Sequence, residues 1–282
     1  MLVVRTIEEL ARLVGAEGER AGVLVPTMGA LHEGHAELIR LARERAGADG
    51  RVVVSIFVNP TQFNESADFE QYPRDFEADC AMCEQLGVDA VFAPSVEVMY
   101  PSGEEVPVGE LPAVATGPGL EDAYRPGHFA GVCRVVRRLF VLVRPEAAVF
   151  GEKDWQQLQV VRAMTEGEGL GVEIVAGPTV REEDGLAMSS RNRLLDAEAR
   201  SAAVAIPRAL EAAGECPSPT AAGVTMLGLL ARAGLEVEYA VVRDAETLLQ
   251  AEEGRPSRAL IAARLGGVRL LDNGPWQRGL EA

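Results

Sequence analysis

Lysine is almost missing from this chain: of its 27 Lys and Arg residues, Lys153 is the single lysine. Histidine is nearly as rare, at three, namely His32, His35 and His128. The four cysteines (Cys80, Cys83, Cys133 and Cys216) are too few and too scattered for the disulfide framework of a small secreted domain. Cys80 and Cys83 have redox-motif spacing but fall within a helical pattern over 75–86, without the strand-to-helix turn of a thioredoxin-like site. Packing is therefore their expected role, and no second Cys/His pair completes a zinc site. No apolar run approaches the ~18–20 residues that span a bilayer. Met1–Arg5 also has no apolar core of a secretion signal, so a cytoplasmic protein is expected. Positive charge is scarce overall: a net charge of −16 argues against nonspecific binding to nucleic acid or anionic membrane. An anionic small molecule stays possible, because a local basic pocket dominates within a Debye length of about 8–10 Å.

What is present is a globular composition, 48% hydrophobic over 282 residues, enough for one large or two medium domains. Continuous apolar runs at 23–25, 51–58, 90–93, 147–150 and 172–176 read as strands buried on both faces. Helical periodicity occupies 6–20, with Thr6 as N-cap and Ile7, Leu10, Ala11 and Val14 as stripe. It recurs at 35–46, 74–86, 132–143 and 155–164. In the 132–143 helix Arg134, Arg137 and Arg138 are expected to face outward. Alternation of strand and helix predicts a Rossmann-like α/β fold, a parallel sheet with helices on both faces. Loops 26–35, 59–64 and the one after 93 should then gather beyond the carboxyl ends of the strands, where such sheets bind ligands. Residues 100–127, rich in Pro and Gly, read as irregular hairpins or a flap. From about 179 two Ala-rich helices (196–213 and 219–233) precede strands at 237–242, 258–264 and 268–271. The expected division is a catalytic domain over 1–178 and a smaller α+β domain over 179–282.

Three stretches carry chemistry. In Pro26-Thr27-Met28-Gly29-Ala30-Leu31-His32-Glu33-Gly34-His35 a strand turns through glycine into a helix, which gathers free N–H groups and the positive dipole end at one spot. Two of the three histidines lie there and can face one anion. Solvated loop histidines would be the bland alternative. Gly151-Glu152-Lys153-Asp154 repeats the strand–turn–helix logic and adds the one lysine. Met188-Ser189-Ser190-Arg191-Asn192 offers hydroxyls and a guanidinium fork that suit phosphate oxygens, or else is an interdomain linker whose serines cap a helix.

Together with Asn59-Pro60-Thr61-Gln62-Phe63, Tyr72-Pro73-Arg74, Arg125–Val132, Gln156-Gln157 and the closing Arg269-Leu270-Leu271-Asp272-Asn273, these motifs resemble the pantoate–β-alanine ligase family of HIGH-type nucleotidyltransferases over nearly the whole chain. The resemblance implies ATP-dependent condensation of pantoate with β-alanine through a pantoyl adenylate, releasing AMP and pyrophosphate. It carries ATP contacts onto Met28, Gly29, Ala30, Leu31, His32, Glu33, Gly34, His35, Gly151, Glu152, Lys153, Asp154, Val180, Met188, Ser189, Ser190 and Arg191. His35 matches the proton-donor position, and His32, Lys153 and Arg191 are expected to stabilise charge with it. Gln62 is carried over to pantoate and β-alanine, Gln157 to pantoate, and Asn59 and His128 to secondary substrate-binding positions. Mg²⁺ is expected to accompany ATP, with no prosthetic group. Asp79 lies at the family's metal region, but Ala78 and Met82 beside it offer no further ligand, so no direct protein ligand is expected. A homodimer joined through the first domain is implied, with neither nucleic acid nor membrane as partner. A nucleotidyltransferase that stops at nucleotide transfer and a nucleotide-binding regulatory module without turnover are the competing readings.

Overall fold

The computed structural model describes residues 1–14, 22–64 and 66–276. Leu2–Val4 (β1) leads into helix α1 (Ile7–Val14). Thr6 caps that helix as expected: its Oγ1 accepts the Glu9 N–H at 3.2 Å while the Glu9 carboxylate accepts the Thr6 N–H. Residues 15–20, the rest of the expected helix, lie outside the described residues. Then follow β2 (Val23–Thr27), α2 (Glu33–Ala46), β3 (Val52–Ile56), α3 (Ser66–Gln71), α4 (Phe76–Gln85), β4 (Ala90–Phe92) and α5 (Val96–Met99). After a long irregular stretch come α6 (Glu121–Tyr124), α7 (His128–Val143), β5 (Ala147–Gly151), α8 (Trp155–Gly167) and β6 (Glu173–Gly177).

All six strands are parallel, in the order β1-β4-β3-β2-β5-β6. From β2 the chain winds outward through β3 and β4, then returns to build β5 and β6 on the other side. The topological switch therefore falls at β2, where a parallel α/β sheet opens its ligand crevice. Alternation along β2 and β3 sends Leu24 and Val53 to one face, packed with α1, α7 and α8. Val23, Val25, Val52 and Val54 go to the other, packed with α2 and α4. Full burial of each such side chain stabilises the fold by about 1.5–3 kcal/mol relative to exposure.

The remainder is α9 (Ala197–Ala202), α10 (Ala205–Gly214), α11 (Pro219–Arg232) and an antiparallel sheet of β7 (Glu236–Asp244), β8 (Ser257–Leu265) and β9 (Val268–Trp276). Ile206, Met226 and Leu230 bury the helices against Ala240, Val242 and Ile261, giving this part a core of its own.

Several expectations need correction. Pro26 does not stop β2, which runs on to Thr27. Pairing with β5 ends at Leu24, so the missing N–H at Pro26 removes no ladder bond on that side. Residues 100–127 form no hairpin; Val114, Ala115 and Leu120 are buried in the main core beneath short helical turns. The helix expected over 196–213 is two helices, α9 and α10. Arg137 does not face outward: it is 9% exposed, paired with Glu168 and donating to the carbonyl of Pro107. All four cysteines are free, and Cys83, Cys133 and Cys216 are buried as packing residues.

Candidate active site

The site is built at the carboxyl end of β2. Thr27 donates from its hydroxyl to the Ser55 carbonyl at 2.7 Å and accepts the Gly29 N–H. The chain then passes through two consecutive left-handed residues, Gly29 (φ +81°) and Ala30 (φ +51°). Alanine in that region costs about 1–2 kcal/mol. Offsetting this, the amides of Ala30 and Leu31 donate to the two oxygens of one buried carboxylate, Asp79 on α4, at 2.9 and 2.6 Å. Bonds of this charge-assisted kind contribute about 1.5–3 kcal/mol each.

His32 follows in extended backbone and caps α2. Its Nδ1 accepts the Gly34 N–H at 3.1 Å, and the Nδ1 of His35 accepts the His32 N–H at 3.3 Å. This is a capping box made of two imidazoles. Because each Nδ1 is an acceptor, each neutral ring carries its proton on Nε2, the nitrogen left to donate. The ring centroids stand 4.2 Å apart. A Cβ on Gly34 would come within 2.9 Å of the His32 ring, so glycine is what lets the cap close. Burial, then the Lys153 charge, lowers His32 to about 4. Burial, then His32 and Lys153, lowers His35 to about 3. Both rings are neutral at pH 7.

The second turn, after β5, presents Lys153, with its ammonium 3.6 Å from the Asp154 carboxylate. Asn273 of β9 holds the turn by donating to the carbonyls of Glu152 and Lys153 at 3.0 and 2.8 Å. The Glu152 carboxylate pairs with Arg258, whose guanidinium stacks 3.5 Å from the Trp155 ring centroid.

The third stretch is a cavity wall and not merely a linker. Arg181 is tied to Asp272 through two bonds, and Met188 N–H donates to the Val180 carbonyl at 2.9 Å. Ser189 caps a single helical turn over Ser190–Leu194, and the Arg191 guanidinium lies over the Tyr72 ring. The same stretch thus caps a helical turn and lines the cavity.

On the opposite wall the Gln62 carboxamide accepts from Asn59 Nδ2 at 3.1 Å and donates to Met28 Sδ at 3.2 Å. Asn59 is 1% exposed; its amide also donates to the Gly131 carbonyl, and its carbonyl accepts from Thr61 and Tyr100. His128 is buried, with Nδ1 on the Gln62 carbonyl at 2.9 Å and Nε2 on Arg125 at 3.1 Å. Burial, then the Arg125 charge, lowers it to about 4, so Nδ1–H donates and Nε2 accepts. Asn59 and His128 therefore hold Gln62 in place while lining the same cavity. Gln156 and Gln157 both line the cavity, and the carboxamide of Gln156, a buried residue, is bonded to Glu121, Val114 and Asp122.

Of the residues expected to contact ATP, one cavity is lined by Met28, His32, Gly34, His35, Gly151, Lys153, Asp154, Val180, Met188, Ser189, Ser190 and Arg191. Gly29, Ala30, Leu31, Glu33 and Glu152 do not line it. The first three hold the turn from behind, Glu33 pairs with Arg40 on the surface, and Glu152 faces Arg258. The loop after β4 reaches the site only through Tyr100, whose hydroxyl touches Asn59. Residue-type reasoning did not single out Arg125 or Tyr72 as wall residues, although both stood in the quoted motifs. Glu121 behind Arg125 was missed entirely. It accepts two bonds from Arg269 at 2.6 and 2.7 Å and one from Tyr239, joining α6 to the C-terminal sheet.

No three His, Cys, Asp or Glu side chains among the described residues cluster so as to hold a metal. Asp79 in particular spends an oxygen on each amide it holds. Nor is any described helix long and apolar enough to cross a membrane.

The family model for pantoate-beta-alanine ligase matches residues 2–275. The chain is 52% identical to a pantothenate synthetase of Rubrobacter xylanophilus over 95% of each chain. It is 50% identical to one of Nocardioides over 99% of this chain and 86% of the relative. The fold superposes on a pantothenate synthetase crystal structure from Thermus thermophilus with a TM-score of 0.91 at 43% identity, covering 99% of this chain and 100% of that one. A pantoate-beta-alanine ligase from Francisella tularensis, complexed with beta-gamma ATP and beta-alanine, matches at TM-score 0.83 and 30% identity, covering 99% of each. A switch-point cavity with two imidazole donors and a lone lysine, on a chain matched from end to end, leads to one conclusion: the chain belongs to the pantoate–β-alanine ligase family.

Proposed function

We propose a division of labour within this cavity for the ATP-dependent ligation of pantoate to β-alanine. The observation that carries it is the meeting, at one cavity, of two Nε2–H groups and Lys153 with Gln62 and Gln157. A carboxylate becomes acylating only when its oxygen joins a good leaving group. A pantoate carboxylate oxygen attacks the α-phosphorus of ATP, the bond to the bridging oxygen breaks, and pyrophosphate departs. The neutral amine of β-alanine then attacks the acyl carbon, AMP leaves, and the nitrogen loses one proton to give the secondary amide.

For the first step His32 and His35 donate from Nε2 to the phosphate oxygens, and Lys153 adds a full charge. Positioning and electrostatics of this kind dominate displacement at phosphorus. Ser189, Ser190 and Arg191 hold the departing phosphates. Gln62, clamped by Asn59 and Met28, and Gln157 bind the pantoate hydroxyls and carboxylate without a repelling charge. Residues 1–178 carry most of these groups, and 179–282 close the cavity with Tyr239, Leu260, Asp272 and Asn273 on its wall.

Mg²⁺ would enter on the nucleotide, where it neutralises phosphate charge. Asp154, 45% exposed beside Lys153, is the wall carboxylate that fits its water shell. Work as a cytoplasmic homodimer joined through 1–178 belongs to the same reading and rests on the family resemblance.

Rapid-quench kinetics on Lys153→Ala test this division. Adenylate formation should slow by about 10²–10³-fold, the scale of one transition-state group, with amide formation from preformed adenylate affected less. The reverse order would remove Lys153 from the first step.

A further inference from the structure

The turn that presents the two histidines is held from outside the cavity, by α4. Gly29 and Ala30 both have positive φ, and Ala30 is one of three non-glycine residues described that do so. The amides that this geometry pushes together, those of Ala30 and Leu31, end on Asp79 Oδ2 and Oδ1 at 2.9 and 2.6 Å. Asp79 is 3% exposed and does not line the cavity. A Cβ on Gly29 would meet Asp79 Oδ2 at 2.9 Å, so the carboxylate also fills the space that a side chain at position 29 would need. The next residue along is His32, whose backbone N–H and Nδ1 are the two halves of the imidazole capping box. One carboxylate therefore fixes the backbone on which the orientation of both Nε2–H groups depends.

We propose that Asp79 is a positioning residue for the adenylation step, acting through the Gly29–Ala30 turn, and not a ligand of the Mg²⁺ that accompanies ATP. The catalytic part of this inference rests on the function proposed above; the structural part does not. A metal ligand needs a lone pair aimed at the nucleotide, whereas both oxygens here are directed at amides behind the cavity wall. Asp79→Asn places an NH₂ against one of those N–H donors and opens the clamp with almost no change in volume. Ala30→Gly removes the steric cost of positive φ, so the turn keeps its shape with less help from Asp79.

The test uses the full chain as wild type, Asp79→Asn and Asp79→Asn/Ala30→Gly. Adenylation kcat should fall about 10–100-fold in the single variant, the scale of a sub-ångström to ångström misplacement. The Mg²⁺ concentration for half-maximal rate should stay within about twofold of wild type. Adding Ala30→Gly should recover part of the lost rate. In parallel, long-range ¹H–¹⁵N spectra of the imidazoles should show the Nε2–H tautomer for His32 and His35 in wild type. That single-tautomer pattern should be lost in Asp79→Asn and regained in the double variant. The spectra need no turnover, so they judge the clamp even if the wild type makes no pantothenate, an outcome that would sink only the proposed function. A raised Mg²⁺ requirement with no rescue by Ala30→Gly would assign Asp79 to the metal and overturn the proposal. Failure of both variants to fold would also overturn it, making Asp79 a folding residue.

Discussion

A protonated imidazole in the first turn of a helix would oppose the dipole, and here it would also face Lys153. The two rings avoid that cost by accepting backbone N–H groups at Nδ1 and staying neutral, with values lowered to about 4 and about 3. On the proposed function, His35 serves as a neutral Nε2–H donor at pH 7, not as a charged acid awaiting transfer. Its truncation should be expensive: His35→Ala should lower kcat about 10²–10³-fold, as loss of one oxyanion-type donor does. A steady-state kcat within twofold of wild type would exclude it from the mechanism. At this scale the sequence was informative wherever scarcity marked a residue, as with the histidine pair and the single lysine. It was silent on partners. Nothing in the local pattern showed that the Gln156 carboxamide, on the same cavity wall as Gln157, is bonded to Val114 and Asp122. Asn59 and His128 line the cavity beside Gln62, and the hydrogen bonds that tie both to Gln62 were not visible in the local pattern. Arg137 looked like a solvated charge because its partner Glu168 lies 31 residues away.

At the scale of elements, the two strand–turn–helix units were legible because their strands are continuous apolar runs followed by a glycine-bearing turn and a helical period. Strand β1 was not. Its three residues gain their identity only by pairing with β4, and Leu2 and Val3 remain exposed at the sheet edge. Residues 100–127 misled for a related reason, since Pro and Gly mark turns but do not say whether those turns are buried. Long-range backbone contact was equally hidden. A Cβ on Gly131 of α7 would lie 2.3 Å from the Thr61 carbonyl oxygen and 2.7 Å from the Gln62 Cα. Helix α7 thereby presses on the turn that carries Gln62, and that close approach requires glycine.

For the whole molecule, three buried or half-buried histidines held neutral make acid stability unusual. His32 and His128 fall to about 4 and His35 to about 3, in each case chiefly through burial. The unfolded chain takes up protons on these rings below about pH 6.5, while the folded chain does not until pH 4–3. Protons therefore favour the unfolded state throughout that window. Stability should drop by about 4 kcal/mol between pH 7 and 5.5 on that basis, seen as a falling urea midpoint with unchanged slope. A midpoint flat to pH 5 would contradict the burial of these rings. Glu121 extends the loss to lower pH. Burial alone would raise it, but hydrogen bonds and charge from Arg269, with Tyr239, hold it at about 2. The tie between α6 and the C-terminal sheet, fully present above about pH 4.5, then weakens as pH falls toward 2.

The central claim is that pantoate is activated as an adenylate at the cavity lined by His32, His35 and Lys153. Its most direct test is exchange of labelled pyrophosphate into ATP by the purified protein with no β-alanine present. A reversible adenylation requires exchange that depends on pantoate, and at this cavity it requires that His35→Ala reduce the exchange by about 10² or more. Pantothenate formation without pantoate-dependent exchange, or exchange untouched by His35→Ala, would contradict the account.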